Sequence, residues 1–398
     1  MKFDITSPKE IEFRETLAKN IDADSKRLVR FLSMPDLSRV HGSPIHELAE
    51  RILSLPSFAS FDEIHVPEIV PADISFDLFD FPKDHPARSK SDTYYLDDNN
   101  ILRTHTTVMW HYYLAQDEIK KKIAQGLPVG SLSYGKVYRK DEIDRHHMNV
   151  FHQMDGWYLC KKSEKVITTE DLQNVLVDIA KAVFGDKVKY RFNPDKFPYT
   201  DPSLEMEIEK PSFAKASADA KALSDKSEGE DNKWIEVLGS GVVKGSVLKK
   251  LGVDPEAYNG WAFGFGLERL AIISMELPDI RLLWSEDPRV KSQLKLGNKF
   301  KEVSKFPGIT RDISFIVSDT FIPNNYFDII RDIGGDLVEE VKLLDKYENA
   351  EKFGKEKISY TYRISYRSNE RTLRTEEIEP IQNKIIEETN KQFNAEVR

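Results

Sequence analysis

Apolar positions recur at Ile45, Leu48, Ile52 and Leu55, the spacing of one helical face. Ser43 can cap that helix, and Pro44 suits its first turn. The same spacing returns at Leu172, Val175, Leu176, Ile179 and Val183 and predicts a helix over 169–184. Residues 8–33 read as a short helical leader. The stretch 61–160 reads as short strands and loops, punctuated by Pro67, Pro71, Pro82 and Pro86. WIEVLGSGVV (234–243) predicts a strand running into a glycine turn, and GWAFGFGLERLAIISM (260–275) a buried strand, a glycine turn and a helix.

The last hundred residues carry a pattern of their own. A strand at 312–317 leads to a helix near 324–333 and a strand near 338–347. Residues 358–367 then alternate: Ile358, Tyr360, Tyr362, Ile364 and Tyr366 face one way, and Ser359, Thr361, Arg363, Ser365 and Arg367 the other. A closing helix from about 376 sets Ile378, Ile381, Ile385 and Phe393 on one side, and a short terminal strand follows. The order βαββαβ predicts a ferredoxin-like domain. PSFAKASADAKALSDKSEGEDNK (211–233) breaks the pattern, with five Ala, four Ser, charges of both signs and almost nothing to bury, and reads as a disordered insertion. The polar stretch 286–305 reads as a linker. The expected division is a leader (1–38), a central domain (39–295) and a terminal domain (299–398).

Composition narrows the function classes. Apolar residues make up 40% of the 398, enough for real cores, yet no run approaches the length of a membrane span. The start MKFDITSPKEIEFRE has no apolar stretch and is too acidic for a transit peptide. Cys160 is the single cysteine, which rules out an internal disulfide and suits a reducing compartment. A cytoplasmic protein with no membrane association is the expectation. The net charge of −9 would repel nucleic acid on average, so such a partner must be held by local basic patches.

Candidate chemistry concentrates in KVYRKDEIDRHHMNVFHQMDGWY (136–158), where His146, His147 and His152 lie among charged residues. Their spacing fits no common zinc pattern, and Arg139, Lys140 and Arg145 would repel a cation. A solvated polar loop remains open. So does a phosphate site, since strand-like flanks around a loop with an arginine on the first strand aim a cation outward. GFGLER (264–269) is a second clue: glycines before a helix permit close backbone approach, and Arg269 would be a second phosphate-directed cation.

Together these segments resemble phenylalanyl-tRNA synthetase, a class II aminoacyl-tRNA synthetase, over nearly the whole chain. HPARSKSDTYY (85–95) and ILRTHTT (101–107) resemble the family's entry to the active site, and GKVYRKDEIDRHHMNVFHQMDG its motif 2. RFNPDKFPYTDPSLE (191–205) and WIEVLGSGVV resemble substrate-pocket segments, GWAFGFGLERLA motif 3, and SPIHELAERI motif 1. FPGITRDISF, RTLRTEEI and the closing AEVR resemble its ferredoxin-fold anticodon-binding domain. The implied fold is α+β: a class II antiparallel sheet flanked by helices, plus the ferredoxin-like domain.

The resemblance implies a phenylalanine–tRNA ligase of translation, using ATP and Mg²⁺. Arg139 and Arg269 would serve catalysis by meeting the ATP phosphates. Phe151 would stack on adenine, and the loop with Asp141, His146 and His147 would fold over the nucleotide. Glu236 would be a ligand of Mg²⁺, or else a strand glutamate in a structural ion pair. Phe197, Tyr199 and Ala262 would shape the pocket for the phenylalanine ring; His105, Thr107, Gln153 and Asp155 would hold its ammonium and carboxylate. The chain departs from the bacterial pattern at Tyr199, Asp155 and Trp110, which leaves altered aromatic specificity as a second reading; a non-catalytic RNA-binding paralogue is a third. Residues 298–398 hold 17 Lys and Arg against 19 Asp and Glu, so the terminal domain is not broadly basic. Arg363, Arg367, Arg371 and Arg374 are its best cluster for tRNA(Phe), unless that face is only solvated. Both domains on one chain imply no separate beta subunit, and a monomer or homodimer.

Overall fold

A computed structural model describes residues 1–140, 147–209, 233–303, 306–354, 356–368 and 371–398. The insertion at 211–233 therefore lies outside the described residues, apart from Lys233. The chain divides into two compact units, Met1–Phe300 and Lys301–Arg398.

The first unit is built on strands β1 (Lys2–Asp4), β2 (Asp62–His65), β5 (Val129–Tyr138), β6 (Val150–Lys161), β7 (Tyr190–Asp195), β8 (Thr200–Glu209), β9 (Trp234–Val243) and β10 (Tyr258–Gly266). Their order in the sheet is β1-β2-β5-β6-β10-β9-β8-β7. All neighbours run antiparallel except β1–β2 and β2–β5. A small pair, β3 (Ile69–Pro71) and β4 (Asn100–Leu102), lies apart. Gly239 and Gly241, and Gly264 in its turn, lie inside β9 and β10 rather than in turns, so the expected glycine turns are continuous strand.

The helix at Pro44–Leu53 forms as its caps predict: Ser43 Oγ accepts from the Ile45 amide at 3.2 Å. Its Ile45, Leu48, Ala49 and Ile52 are wholly buried, against the helices Thr169–Phe184 and Leu267–Met275. That apolar face is satisfied within the chain. On the other face of the sheet, Trp110 stacks on Trp157 with ring centres 5.0 Å apart, at the centre of a core that includes Phe79 and Tyr113.

The leader is not a separate element. β1 pairs with β2 at the sheet edge, and the helix Ala23–Ser33 is fastened by a lysine from the sheet. Lys136 of β5 is buried, and its Nζ donates to the carbonyls of Leu32 (3.0 Å) and Met34 (2.9 Å) at that helix's C-terminal end. Glu68 lies 3.3 Å from the same ammonium. A cation suits a helix C-terminus, where unpaired carbonyls concentrate negative charge.

The second unit contains β11 (Ile309–Ser318), β12 (Val338–Glu348), β13 (Lys357–Tyr366) and β14 (Glu396–Val397), in the order β12-β13-β11-β14 and all antiparallel. Helices Pro323–Gly334 and Thr375–Phe393 complete the ferredoxin-like arrangement. The alternation read from β13 holds: Tyr360, Tyr362, Ile364 and Tyr366 are buried with Phe315, Tyr326 and Ile378, while Arg363 is exposed.

Replacing Lys136 with Met should cost about 2–3 kcal/mol, since it strips charged hydrogen bonds from buried carbonyls. Urea denaturation would measure it, and amides of the 23–33 helix should lose exchange protection. An unchanged midpoint would show that this lysine does not hold the leader.

Candidate active site

The site is a trough in the middle of the first unit's sheet, and its depth comes from small residues in register. Asp155 of β6 lies opposite Gly264 of β10, which lies opposite Gly239 of β9. One row along, Trp157, Ala262 and Gly241 line up in the same way. A Cβ on Gly264 would stand 2.6 Å from Asp155 Oδ1, and one on Gly239 would stand 2.7 Å from the Phe197 ring. Any side chain at either glycine would fill the trough.

Phe197 and Tyr199 lie on the connection between β7 and β8, and their rings are nearly parallel, 6.1 Å apart. With Thr107, Asp155, Gly239, Ala262 and Gly264 they enclose a narrow slot. Two aromatic rings and Ala262 share its lining with Asp155, Thr107 and Ser240. Within it Asp155 accepts hydrogen bonds from Thr106 Oγ1 and, at 2.8 Å, Thr107 Oγ1. Burial pushes this carboxyl up to about 6, although both threonines and the charges of Arg139 and Arg103 pull it down. Desolvation penalises the lone anion, so a cation entering the slot would relieve it. Trp110 touches the Tyr199 ring from the core and does not line the slot.

The slot opens into a wider cleft lined by Arg139, His147, Phe151, Gln153, Glu236 and Arg269, among others. Arg139 is aimed by the backbone: its Nε donates to the Thr104 carbonyl at 3.0 Å, and its guanidinium lies 5.1 Å from the centre of the Phe151 ring. Arg269 is exposed at the start of the helix that follows β10, with Nη1 3.4 Å from the Glu236 carbonyl oxygen. The Glu236 carboxyl is raised by desolvation, opposed by Arg269 and reinforced by Glu205, Asp195 and Glu207. Such crowding of negative charge favours a cation. Among the described residues, however, no three His, Cys, Asp or Glu side chains gather to hold a metal ion. The residues fit a Mg²⁺ carried on phosphates with one protein carboxylate, the usual habit of that ion. Asp141 and His146 lie outside the described residues.

Two predicted residues lie outside the slot's lining. His105 lines a neighbouring cavity with Arg139 rather than the slot. Gln153 sits in the cleft wall, with a buried Oε1 that meets no partner among the described residues.

The third histidine of the 136–158 segment has a structural part. His152 is wholly buried, and its Nδ1 lies 2.5 Å from Glu268 Oε1. Glu268 also accepts from the His152 amide, and Asp36 Oδ1 lies 3.3 Å from His152 Nε2. Burial opposes the charge on His152, but the Glu268 carboxylate and the hydrogen bond to Asp36 outweigh it and hold the ring up to about 9. The Leu37 amide also points at Nε2 from 2.9 Å and gives the deprotonated ring a partner. Sequence reasoning missed Asp36, Thr106 and Glu268. Thr106 adjoins Thr107 and could have been found; Asp36 gives no local signal.

In the second unit, Arg363 forms a two-pronged pair with Asp312, both contacts at 2.7 Å, directly across β13 and β11. Arg367 pairs with Glu339 and Arg371 with Glu377, while the Arg374 amide caps onto Glu377. The expected basic face is thus interleaved with acids.

Residues 31–294 match the family described as tRNA synthetases class II core domain (F), and residues 304–398 match the ferredoxin-fold anticodon binding domain. A relative named phenylalanine–tRNA ligase, chloroplastic/mitochondrial, from Arabidopsis thaliana is 40% identical over 86% of this chain and 73% of its own. The mouse phenylalanine–tRNA ligase, mitochondrial, is 36% identical over 81% and 72%. A phenylalanine–tRNA ligase alpha subunit of Clostridium perfringens is 36% identical over 71% of this chain and 81% of its own. The resemblance read from the motifs is borne out. The cytoplasmic location is not: the first two relatives are named as organellar enzymes. Among the described residues, no helix is long and apolar enough to cross a membrane.

The His152 ring ordinarily titrates near 6.5 and here near 9, so its stabilisation is complete below 6.5 and lost as pH rises through 9. Denaturant midpoints should fall across that window in the wild type and stay flatter in His152→Gln. Equal falls in both would assign the titration to another group.

Proposed function

We infer the function from one fact: this chain belongs to the class II tRNA synthetase family and carries a ferredoxin-fold anticodon-binding domain. It is an aminoacyl-tRNA ligase, and the kinship with phenylalanine–tRNA ligases makes phenylalanine its amino acid. Within the site, the observation that carries this reading is a slot lined by the rings of Phe197 and Tyr199 and by the buried Asp155. An aromatic amino acid matches it at both ends: ring against ring, ammonium toward carboxylate.

Activation joins the amino-acid carboxylate to the α-phosphorus of ATP. An O–P bond forms, and the bond to the leaving pyrophosphate breaks. The nucleophile is already an anion, so the chain's task is positioning and charge neutralisation rather than proton removal. Arg139 suits the α-phosphate because the Thr104 carbonyl and the Phe151 ring fix its fork next to the slot. Arg269, exposed in the same cleft, would meet the outer phosphates, and Phe151 would face the adenine. His147 would close on the nucleotide with Asp141. Gln153 would face the amino acid with Thr107 and Asp155, and Ala262 would leave room for its ring. Mg²⁺ on the phosphates would be held by Glu236 and would supply further charge neutralisation.

The division into leader, catalytic domain and anticodon-binding domain follows the same reading. The Arg363, Arg367, Arg371 and Arg374 face would meet the tRNA, exchanging its exposed carboxylate partners for phosphates; solvent-exposed pairs are weak enough to be exchanged. With catalytic and anticodon-binding parts on one chain, no separate beta subunit is required. Two arginines facing one cleft speak against a non-catalytic paralogue.

The test is amino-acid-dependent ATP–pyrophosphate exchange. Phenylalanine should support it, and tyrosine, tryptophan and histidine should not. Arg139→Ala should lower the rate on the order of 10²–10³-fold, the worth of one preorganised donor to developing charge. No exchange with phenylalanine in folded protein would sink the reading. A second outcome concerns pH. Asp155, raised to about 6, must be ionised to hold an ammonium, so the KM for phenylalanine should rise as pH falls through 6. Asp155→Asn should weaken binding on the order of 10²-fold and flatten that dependence. A variant that keeps the wild-type pH profile would show that Asp155 does not hold the ammonium.

A further inference from the structure

The edge of an open sheet is a row of unpaired backbone groups, and folds normally shorten, cover or charge it. In this chain β1 and β7 edge the first unit's sheet, and β12 and β14 edge the second. β1 and β14 are short, with three and two residues, and β7 has six. β12 has eleven, and nine of them are exposed, so it is the edge most open to another strand.

The middle of β12 is apolar. Leu343 and Leu344 are 45% and 40% exposed, and Tyr347 is 46% exposed. Leu343 stands opposite the buried Tyr362, on the core side of the strand, and is still open to solvent. Leu344 is the extra residue of a bulge between Leu343 and Asp345. Apolar side chains scattered singly over a surface need no explanation, but three on one free edge do.

The flanking charges say which partner fits. The run reads Lys342-Leu343-Leu344-Asp345. Reversed, it reads Asp-Leu-Leu-Lys. A second copy laid antiparallel therefore sets Lys342 against Asp345 of the partner subunit, and Asp345 against Lys342 of the partner subunit. Neither residue makes an ion pair among the described residues. Glu339 and Glu348 would also come opposite each other, but each already has a cation, Arg367 and Lys346. A strand complementary to itself under a two-fold axis suits an isologous contact, in which one patch serves both copies.

We propose that two copies of this chain associate through β12, joining their four-stranded sheets edge to edge. The leucines of both copies pack together at the centre, and two Lys342–Asp345 pairs flank them. None of these residues lines the slot or the cleft, so the inference stands apart from the catalytic reading.

Sedimentation velocity of the chain, without tRNA, tests this. The wild type should move from 45.9 kDa toward twice that mass as its concentration rises to about 100 µM, well above the micromolar dissociation constants of modest interfaces. Lys342→Asp and Asp345→Lys each set like charges together at both ends of the contact, and each should weaken the dimer on the order of tenfold. An equal mixture of the two variants should restore it, and so should one chain carrying both changes, because opposite charges meet again. Leu344→Asp should remain a monomer. A wild type that stays at 45.9 kDa would overturn the proposal and leave this edge to a different protein. A dimer that every variant forms equally well, or single variants that neither combination rescues, would overturn it too.

Discussion

The Glu268–His152–Asp36 contact is the constraint on which the site depends. It joins three parts of the chain distant in sequence: the end of the leader, β6, and the helix that follows β10. Glu268 is buried and sits next to Arg269, while His152 is buried and sits next to Phe151. A buried carboxylate without a counter-charge is costly, so the ring and the two acids hold one another in place. Phe151, on the other face of the strand from His152, and Arg269, one position on from Glu268 in its helix, both line the cleft. The leader is part of the catalytic unit for the same reason, with Lys136 as a second fastening.

The substrate slot follows from register rather than from any one side chain. Gly264 and Gly239 stand in one row beside Asp155, and the absence of side chains there makes the trough. Burial then raises Asp155 and leaves it short of a positive partner. On the proposed function, specificity for the ring and affinity for the ammonium would come from two physical effects, packing against Phe197 and Tyr199 and relief of a desolvated charge.

Much of this was legible in the sequence. The ferredoxin-like unit could be read strand by strand, because one face of β13 is apolar and the other polar. The helix at Pro44–Leu53 announced itself through its cap and its spacing. The pairing of Arg139, at a strand end, with Arg269, at a helix start, was legible as two cations, and both line one cleft. Strand continuity through GFG was not, since glycine signals a turn locally and only the neighbouring strands show that it serves as a floor. Nor was the role of Asp36, whose partner lies 116 positions away in sequence at His152 (152 − 36) and is fixed by tertiary packing. The acids facing Arg363, Arg367 and Arg371 were likewise hidden, because cross-strand register pairs residues that composition merely counts.

The central claim is that this one chain both activates phenylalanine and esterifies it to tRNA. Its most direct test is charging of tRNA(Phe) transcript by the purified chain alone, with labelled phenylalanine or tyrosine. The account predicts an ester with phenylalanine, formed without any added polypeptide, and little with tyrosine. Charging that appears only when a second polypeptide is supplied, or that proceeds equally well with tyrosine, would contradict it.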